Sequence, residues 1–371
     1  MSRATDPAVL DVSGLTVTFP SADGPVRAVR GVDYRLRRGE VLGIVGESGS
    51  GKSVTSLAVM GLLPRTAQVT GSIVFDGRDL LTLSENELNG IRGERVAMIF
   101  QDPMTSLNPV YTVGYQVEEA VLAHRDVSRA QARERAVELL GLVRIPNPEQ
   151  RVSSYPHELS GGMRQRVVIA IAMANDPDVI IADEPTTALD VTVQAQVMQA
   201  LQAAQQATGA AMVLITHDLG VIAGQADRVM VMYAGKLVEV GDVEPIFYEP
   251  RMPYTLGLLG SLPRLDRPTE RLTPIPGSPP SVVNMPPGCP FSPRCPLSTD
   301  VCRDSEPELV AVGDGSADHH AACHHSSQVS GVAAEDVFDP AAVADGDLAV
   351  GPVGSADPLD PESPATTEGA R

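Results

Sequence analysis

The sequence predicts an α/β fold with a mostly parallel sheet, an antiparallel β subdomain, a helical subdomain and a small C-terminal cysteine-containing domain. Two short apolar runs, Val179–Ala182 and Ala211–Thr216, flank a helical pattern and do not alternate, which indicates parallel strands buried on both faces. A third apolar run, Val41–Val45, leads directly into the glycine-rich loop Gly46–Ser53. Four cysteines gathered towards the C-terminus indicate an additional, smaller unit.

The glycine-rich loop fits the phosphate-binding pattern G-x-x-x-x-G-K-[ST] without a mismatch and precedes a helical pattern at Val54–Leu63. Its glycines let the backbone turn with the N–H groups pointing inward, so these donors and a helix N-terminus face phosphates together. We expect Lys52 to reach the β- and γ-phosphates and the Ser53 hydroxyl to bind Mg²⁺. The chain contains one such loop and is therefore expected to supply one nucleotide site.

The other elements follow from turn signals and periodicity. Strand patterns at Leu10–Phe19 and Val26–Leu36 are joined by a turn-rich segment and begin the antiparallel subdomain. Helical periodicity indicates a helical subdomain over about residues 102–175. Two later runs, Val229–Tyr233 and Leu237–Val240, predict a closing hairpin.

After this hairpin the composition changes. Residues 246–326 are assigned to the C-terminal domain, and the stretch Pro263–Pro290 is so rich in proline that we expect an extended linker there. Residues 327–371 contain nine acidic residues, one basic residue and few large apolar groups. Such a composition cannot offset the entropy of ordering, so this acidic tail is predicted to be disordered.

Charge and hydropathy exclude two classes of protein. The formal net charge of −19 argues against a nucleic-acid-binding protein, which normally presents a basic face to phosphates. No segment approaches the roughly 18 consecutive apolar residues that a membrane helix needs. The first residues, Met1–Val9, lack an apolar signal core. We therefore expect a cytosolic protein.

Polar residues at the ends of the apolar runs supply the groups that ATP hydrolysis requires. Asp183 ends a buried run and is placed to hold Mg²⁺, while Glu184 next to it is placed to act as general base towards the attacking water. Gln101 and His217 end two other runs at the same edge of the sheet, within reach of a γ-phosphate. The predicted catalytic residues are Glu184, His217 and Gln101, and the predicted magnesium ligands are Ser53, Gln101 and Asp183.

The segment Leu159–Gln165, Leu-Ser-Gly-Gly-Met-Arg-Gln, resembles the signature of the ATP-binding cassette (ABC) ATPases, a family of P-loop NTPases. The resemblance covers roughly residues 8–245 and implies the cassette fold and ATP hydrolysis. The motifs that carry it occur in the family's order: Phe19, the phosphate loop, Gln101, the signature, Ile180–Glu184, Ala188-Leu189-Asp190 and His217.

In this family two cassettes meet head to tail, and the signature of one closes over the ATP held by the other. The resemblance implies that Ser160 and Gly162 donate to the γ-phosphate in trans, that Phe19 stacks on adenine and that Asp190 links the two sites. A helix N-terminus at the signature suits this role, because its donors and its dipole favour an anion. The implied signature residues are Leu159, Ser160, Gly161, Gly162 and Gln165, and the implied nucleotide contacts are Phe19, Gly46, Ser48, Gly49, Ser50, Gly51, Lys52, Ser53 and Val54.

Four further segments narrow the resemblance to the ATPase subunits of the oligopeptide, dipeptide and nickel import group. This likeness implies a second, related but different cassette chain, two membrane permease subunits and an extracytoplasmic substrate-binding protein. It places the chain peripherally on the cytoplasmic face of the cell membrane, with residues 101–121 towards the permease. The segments are Phe100–Pro109, Pro253-Tyr254-Thr255, Ile275–Pro280 and Gly288–Cys295.

All four cysteines, Cys289, Cys295, Cys302 and Cys323, lie in one 35-residue window. In a reducing cytosol a metal or cluster site is favoured over a disulfide. The spacings lack the C-x₂-C pairs usual in zinc ribbons, which favours a [4Fe–4S] cluster over Zn²⁺, and similar cysteines in some members of the import group are associated with such a cluster. Free structural thiols stay open, as does substitution of ligands by His319, His320, His324 or His325.

The leading interpretation is the ATPase subunit of a peptide importer, and two other functions stay open. A cassette ATPase of DNA repair would carry a long insertion before the signature, whereas 57 residues separate Gln101 from Leu159. A cytosolic cassette ATPase of iron–sulfur assembly would account for the cysteines but would lack the proline-rich segment. Dipeptides, longer peptides and nickel complexes are not distinguished as cargo, because selectivity resides in other subunits.

Overall fold

The computed structural model describes residues 8–22, 24–102, 106–187, 189–262, 273–313 and 318–338. Twelve strands occur within these ranges and form two sheets. The strands are β1 (Ala8–Phe19), β2 (Val26–Arg37), β3 (Val41–Val45), β4 (Gln68–Phe75), β5 (Arg78–Asp79), β6 (Val96–Ile99), β7 (Val179–Asp183), β8 (Ala211–Ile215), β9 (Arg228–Tyr233), β10 (Lys236–Asp242), β11 (Val310–Ala311) and β12 (His320–Ala321).

Thirteen α-helices occur in the same ranges, and four of them, α3 to α6, form the predicted helical region. The side chains of Ser128 and Gln131 form a capping box at the start of α4. The helices are α1 (Lys52–Val59), α2 (Glu85–Asn89), α3 (Val113–Leu122), α4 (Arg129–Leu142), α5 (Pro148–Arg151), α6 (Gly161–Ala172), α7 (Val191–Thr208), α8 (Leu219–Ala223), α9 (Val243–Tyr248), α10 (Pro253–Gly260), α11 (Asp300–Asp304), α12 (Ser326–Val329) and α13 (Ala334–Phe338).

The larger sheet has eight strands in the order β11-β12-β10-β9-β3-β8-β7-β6, and the five from β9 to β6 run parallel. Alternate residues of β7 enter two different cores: Ile180 and Ala182 face the helical region, while Val179 and Ile181 face the antiparallel sheet. Both faces of the strand are therefore buried, which explains why its sequence is continuously apolar. The predicted α/β fold with a mostly parallel sheet is confirmed.

The antiparallel subdomain is a four-stranded sheet in the order β2-β1-β4-β5. Its inward residues, among them Leu10, Val29 and Ile73, are fully buried in the core that it shares with the parallel sheet and α1. This packing brings the start of β2 against the phosphate loop, where the carbonyl oxygen of Ala28 lies next to Gly51.

The C-terminal region shares the core of the nucleotide-binding domain instead of forming a separate one. Phe291, Val329 and Phe338 belong to the same buried cluster as Ile180 and Tyr233. Strand β12 pairs antiparallel with β10, so the predicted closing hairpin is not the edge of the sheet. A region of this size buries little apolar surface by itself, and packing on the larger domain supplies the burial it lacks.

The prediction of disorder from residue 327 onwards is wrong for residues 327–338. Val329, Val337 and Phe338 are buried in this stretch, and a Cβ built on Gly257 of α10 would lie 3.0 Å from the Phe338 ring. Composition averaged over the whole tail concealed these few apolar side chains. Residues 339–371 of the predicted tail, and residues 263–272 of the predicted linker, lie outside the described residues.

None of the helices in the described ranges has the length and apolar composition needed to cross a membrane.

Candidate nucleotide site

The phosphate loop connects β3 to α1, and at two of its positions the neighbouring backbone leaves room only for glycine. A Cβ on Gly46, whose φ is 149°, would lie 2.2 Å from the carbonyl oxygen of Met232. A Cβ on Gly51, whose φ is 102°, would lie 2.6 Å from the carbonyl oxygen of Ala28. The path of the loop is therefore set by β9 and β2, and no residue larger than glycine fits at these two positions without displacing them.

Lys52 begins α1 and points back into the loop. Its side chain is buried, and its ammonium donates to the carbonyl oxygens of Gly46 at 2.7 Å and Glu47 at 3.0 Å. Burial lowers the pKa of Lys52, and the carboxylates of Glu184, Asp183 and Glu47 only partly oppose this. The ammonium thus lies within the loop and near three carboxylates, and its contact with phosphates stays a prediction.

The other loop residues divide by exposure. Ser48 and Gly49 are exposed at the turn of the loop, whereas Ser50 is buried. Ser53 and Val54 are half-buried in the first turn of α1. The exposed turn and the helix start together form the open side of the loop.

The predicted magnesium ligands Ser53 and Asp183 are brought together from positions 130 residues apart. The Ser53 hydroxyl donates to Asp183 Oδ1 at 3.0 Å. Burial raises the pKa of Asp183, and the bond from Ser53 and the charge of Lys52 offset this only in part. A hydroxyl and a carboxylate are hard oxygen donors, the donor class that Mg²⁺ requires, so these residues fit that ion.

Glu184 lies in a set of polar contacts at the end of β7. Its φ is 47°, and its N–H donates to Ile215 of β8 at 2.9 Å, which turns the chain and directs the side chain out of the strand. Its Oε2 accepts from Gln101 Nε2 at 3.0 Å and from Thr187 Oγ1 at 2.8 Å, and His217 Nδ1 lies 3.5 Å away. The three predicted catalytic residues therefore meet at one carboxylate oxygen.

Thr187 was not predicted as a member of this site. It follows Glu184 by three residues in a turn, and a hydroxyl in a turn carries no pattern that distinguishes it from other loop residues. Its contact with the carboxylate is visible only in the folded chain.

The signature residues lie at the start of α6. The Ser160 hydroxyl caps this helix by accepting from the Met163 N–H, and Ser160 and Gly161 are exposed. Gly162 is buried, since a Cβ there would lie 2.3 Å from Val193 of α7. Leu159 and Gln165 are also buried. The exposed part of the signature is therefore its helix N-terminus, and its role in trans stays a prediction.

Asp190 lies at the start of α7 and Phe19 at the end of β1. Asp190 caps α7 by accepting from the Val193 N–H at 3.0 Å and is exposed. Phe19 ends β1 opposite Val26, is half-buried and packs against the core of the antiparallel subdomain. Their predicted roles, in linking two sites and in stacking on adenine, stay predictions.

The four cysteines are free thiols that line a common pocket at the C-terminal region, together with His324 and His325. Burial raises the pKa of Cys295 and Cys323 to about 12. His319, by contrast, is bonded to Glu239 at 2.8 Å, and His320 lies in β12. Among the described residues no group of three or more His, Cys, Asp or Glu side chains is arranged around a single metal ion. The cofactor assignment therefore stays a prediction.

Two protein families match the chain in adjoining segments. Residues 29–187, which include the phosphate loop, the signature and Glu184, match the family described as "ABC transporter". Residues 238–302, which include three of the cysteines, match the family described as "Oligopeptide/dipeptide transporter, C-terminal region".

Curated relatives are similar over most of the chain. An oligopeptide transport ATP-binding protein, OppD, of Mycobacterium tuberculosis is 54% identical over 92% of this chain, which spans 57% of that relative. A dipeptide transport ATP-binding protein, DppD, of Bacillus subtilis is 56% identical over 79% of this chain and 88% of the relative. OppD of Escherichia coli is 51% identical over 81% of this chain and 89% of the relative. The chain thus spans little more than half of the mycobacterial relative but nearly all of the other two.

Solved structures of ABC cassettes share the fold. The ATP-binding cassette MJ0796, in a dimeric post-hydrolysis state bound to ADP and Pi, aligns with a TM-score of 0.57 and 29% identity over 63% of this chain and 98% of its own. CbiO1 of Clostridium perfringens, part of the ABC transporter complex CbiONQ, aligns with a TM-score of 0.56 and 27% identity over 68% of this chain and 96% of its own.

Fold, motif order and these relatives agree, and the chain belongs to the ABC transporter family, among the ATP-binding proteins of oligopeptide and dipeptide transport.

Proposed function

We propose that this chain hydrolyses ATP and thereby powers the import of dipeptides or oligopeptides through a membrane permease, as one half of a head-to-tail cassette dimer. The observation that carries the proposal is the Glu184 carboxylate, which is held by Gln101 and Thr187 at the same sheet edge as the Ser53–Asp183 pair. A carboxylate so oriented can accept a proton from water. The names of the relatives supply the peptide cargo.

Each residue of the nucleotide site has a separate proposed role in ATP hydrolysis. The loop N–H groups and Lys52 hold the phosphates and offset their charge, while Ser53 and Asp183 would hold Mg²⁺, which when bound neutralises charge on the β- and γ-phosphate oxygens. Glu184 accepts the proton of the attacking water, and Gln101 and Thr187 fix the orientation of its carboxylate. His217, 62% exposed, lies 3.5 Å from the Glu184 carboxylate and is proposed to contact the γ-phosphate once ATP is bound.

Completion of this site by a second cassette is supported by the exposed N-terminus of α6. Ser160 and Gly161 present donors and the positive end of a helix dipole to solvent, where they can close over an anion held by another chain. The partner is proposed to be a related but different cassette chain. The two cassettes would lie beneath two permease subunits, which receive peptides from an extracytoplasmic binding protein. The chain would thus act at the cytoplasmic face of the membrane.

Reconstitution tests the transport proposal. The chain, co-expressed with permease subunits, a partner cassette and a binding protein from the same organism, should co-purify with the membrane subunits and show ATPase activity that rises at least several-fold when the peptide-loaded binding protein is added. A chain that fails to associate with the permease but is stimulated by DNA would contradict the proposal and support the DNA-repair alternative. ATPase activity coupled to the transfer of iron–sulfur clusters would support the other alternative.

We further propose that the four cysteines hold a [4Fe–4S] cluster as a structural cofactor. Their convergence on one pocket as free thiols matches the donor set of such a cluster, which is held by four thiolates. The spacings of the four cysteines lack the C-x₂-C pairs usual in zinc ribbons, which favours the cluster over zinc. No step of ATP hydrolysis depends on the cluster.

Anaerobic purification tests the cluster. We expect about four iron and four sulfide per chain with an absorbance band near 400 nm, which oxygen bleaches. Cys302→Ser should remove the iron, whereas substitution of an exposed serine of the same region, Ser305→Ala, should leave the iron content unchanged. Zinc without iron would contradict the cluster, and a metal-free protein with the same thermal stability would support free thiols.

A further inference from the structure

The geometry points to Arg294 and Tyr254 of the C-terminal region as positioning residues of the nucleotide site. Both hold the phosphate loop at Glu47, and Arg294 also neutralises the Glu47 carboxylate. The inference rests on the proposed ATPase function and assigns to the C-terminal region a part in ATP binding. Glu47 is the second residue of the loop, adjacent to the constrained Gly46.

The Arg294 guanidinium forms a bidentate ion pair with the carboxylate of Glu47. Its two terminal nitrogens donate to the two carboxylate oxygens, Nη1 to Oε2 at 2.6 Å and Nη2 to Oε1 at 2.9 Å. Its remaining contacts lead into the C-terminal region and the sheet, because Nε donates to Pro276 at 2.9 Å and Nη1 donates to the Tyr233 hydroxyl at 3.2 Å. A bidentate pair of this kind fixes direction as well as distance.

Tyr254 holds the backbone of the same residue. The Glu47 N–H donates to the Tyr254 hydroxyl at 2.7 Å, and the Glu47 carbonyl oxygen accepts from Lys52 at 3.0 Å. One loop residue therefore connects the C-terminal region to the lysine that is predicted to bind phosphate. Tyr254 is fully buried in α10, so its hydroxyl has little freedom to follow a moving loop.

Packing makes the anchor rigid. The rings of Tyr233, Tyr254 and Phe291 contact one another, with centroid separations of 4.5 to 5.4 Å. The Arg294 guanidinium lies 5.9 Å from the Tyr233 ring centre and 5.8 Å from that of Phe291. The three rings pack against one another and the guanidinium lies against two of them, so the Arg294 N–H groups and the Tyr254 hydroxyl are held in one arrangement.

Charge explains why this pairing matters for ATP. The Arg294 side chain is 5% exposed and that of Glu47 27% exposed, so solvent screens the pair weakly. Burial acts to lower the pKa of Arg294, but the bonds to Glu47 and Tyr233 outweigh it and raise the pKa overall, so the guanidinium stays charged. Without it, the Glu47 carboxylate would be uncompensated within the loop that receives the anionic phosphates, and like charges repel.

Calorimetric titration of ATP with Mg²⁺ tests the inference in the full chain, with Glu184→Gln as the parent to prevent hydrolysis. Arg294→Gln should raise the Kd for ATP about tenfold or more, because it removes the positive charge of the guanidinium and its two hydrogen bonds to the Glu47 carboxylate. Adding Glu47→Gln to that variant should restore most of the affinity, since no uncompensated charge is left in the loop. Tyr254→Phe, which removes one oxygen, should raise the Kd several-fold.

The matched control is Arg303→Gln in the same region, whose side chain pairs with Asp300 at the surface, and it should leave the Kd unchanged. A double variant that binds no better than Arg294→Gln would show that Arg294 only keeps the region folded and would overturn the inference. So would folded Arg294→Gln or Tyr254→Phe variants that bind ATP like the parent. A parent chain that binds no ATP would instead overturn the proposed function. If Arg294→Gln does not fold, Tyr254→Phe decides.

Discussion

Replacing Glu184 by glutamine is expected to lower the rate of ATP hydrolysis by about 10²–10⁴-fold while leaving ATP binding intact. The amide is nearly isosteric with the carboxylate and can still bond to Gln101 and Thr187, but it cannot accept the proton of the attacking water. Because ATP binds and is not consumed, the variant should also accumulate as a closed dimer. Phosphate release and size-exclusion chromatography with ATP measure the two effects.

The matched control for this substitution is Glu249→Gln, at an exposed residue that pairs with Arg251 at the surface. It should keep the parent rate, because a surface ion pair contributes little and lies away from the carboxylate of Glu184. Normal turnover by the Glu184→Gln variant would show that another group acts as the base. The contacts of His217 make it the next residue to test.

Replacing Lys52 by alanine is expected to raise the Kd for ATP by at least about 30-fold, or ~2 kcal/mol, because the buried cation that is predicted to bind the β- and γ-phosphates is lost. The substitution also leaves Asp183 and Glu184 without the cation that partly offsets their repulsion. Both effects disfavour a polyanion at the loop. Titration with a fluorescent ATP analogue measures the change.

Lys236→Ala is the matched control, since these are the two lysines of the chain and Lys236 pairs with Glu306 rather than with the loop. It should change the Kd by less than about twofold, as expected for a partly exposed ion pair. Equal binding by the Lys52→Ala variant and the parent chain would contradict the assignment of Lys52 to the phosphates. Circular dichroism of both variants establishes that the fold is retained.

Local sequence was enough to predict the parallel strands and the loop between them. Strand β7 could be predicted from an unbroken apolar run, because both of its faces are buried. The loop could be predicted from its glycines, because close backbone contacts leave no room for a side chain there. The polar residues after the strands could be grouped because parallel strands end at one edge of a sheet. Ser53, assigned to Mg²⁺ from the loop pattern, and Asp183, assigned from its place at the end of an apolar run, are 130 residues apart and do meet.

The contributions of the C-terminal region depend on contacts that no short pattern records. Arg294 and Glu47 are separated by 247 residues, and neither residue type at its position indicates the other. Thr187 enters the site because the positive φ of Glu184 turns the chain at the end of β7. Val337 and Phe338, within a stretch of tail-like composition, are buried on α10.

The sequence by itself determined the α/β cassette, the phosphate loop and the identity of the residues at the strand ends, because glycine motifs, unbroken apolar runs and the order of motifs can be read along the chain. Only the tertiary structure decided that the C-terminal region joins the same core and grips the loop at Glu47. The physical reason is that a buried ion pair and a shared core depend on which distant surfaces meet, and spacing along the chain does not encode that meeting.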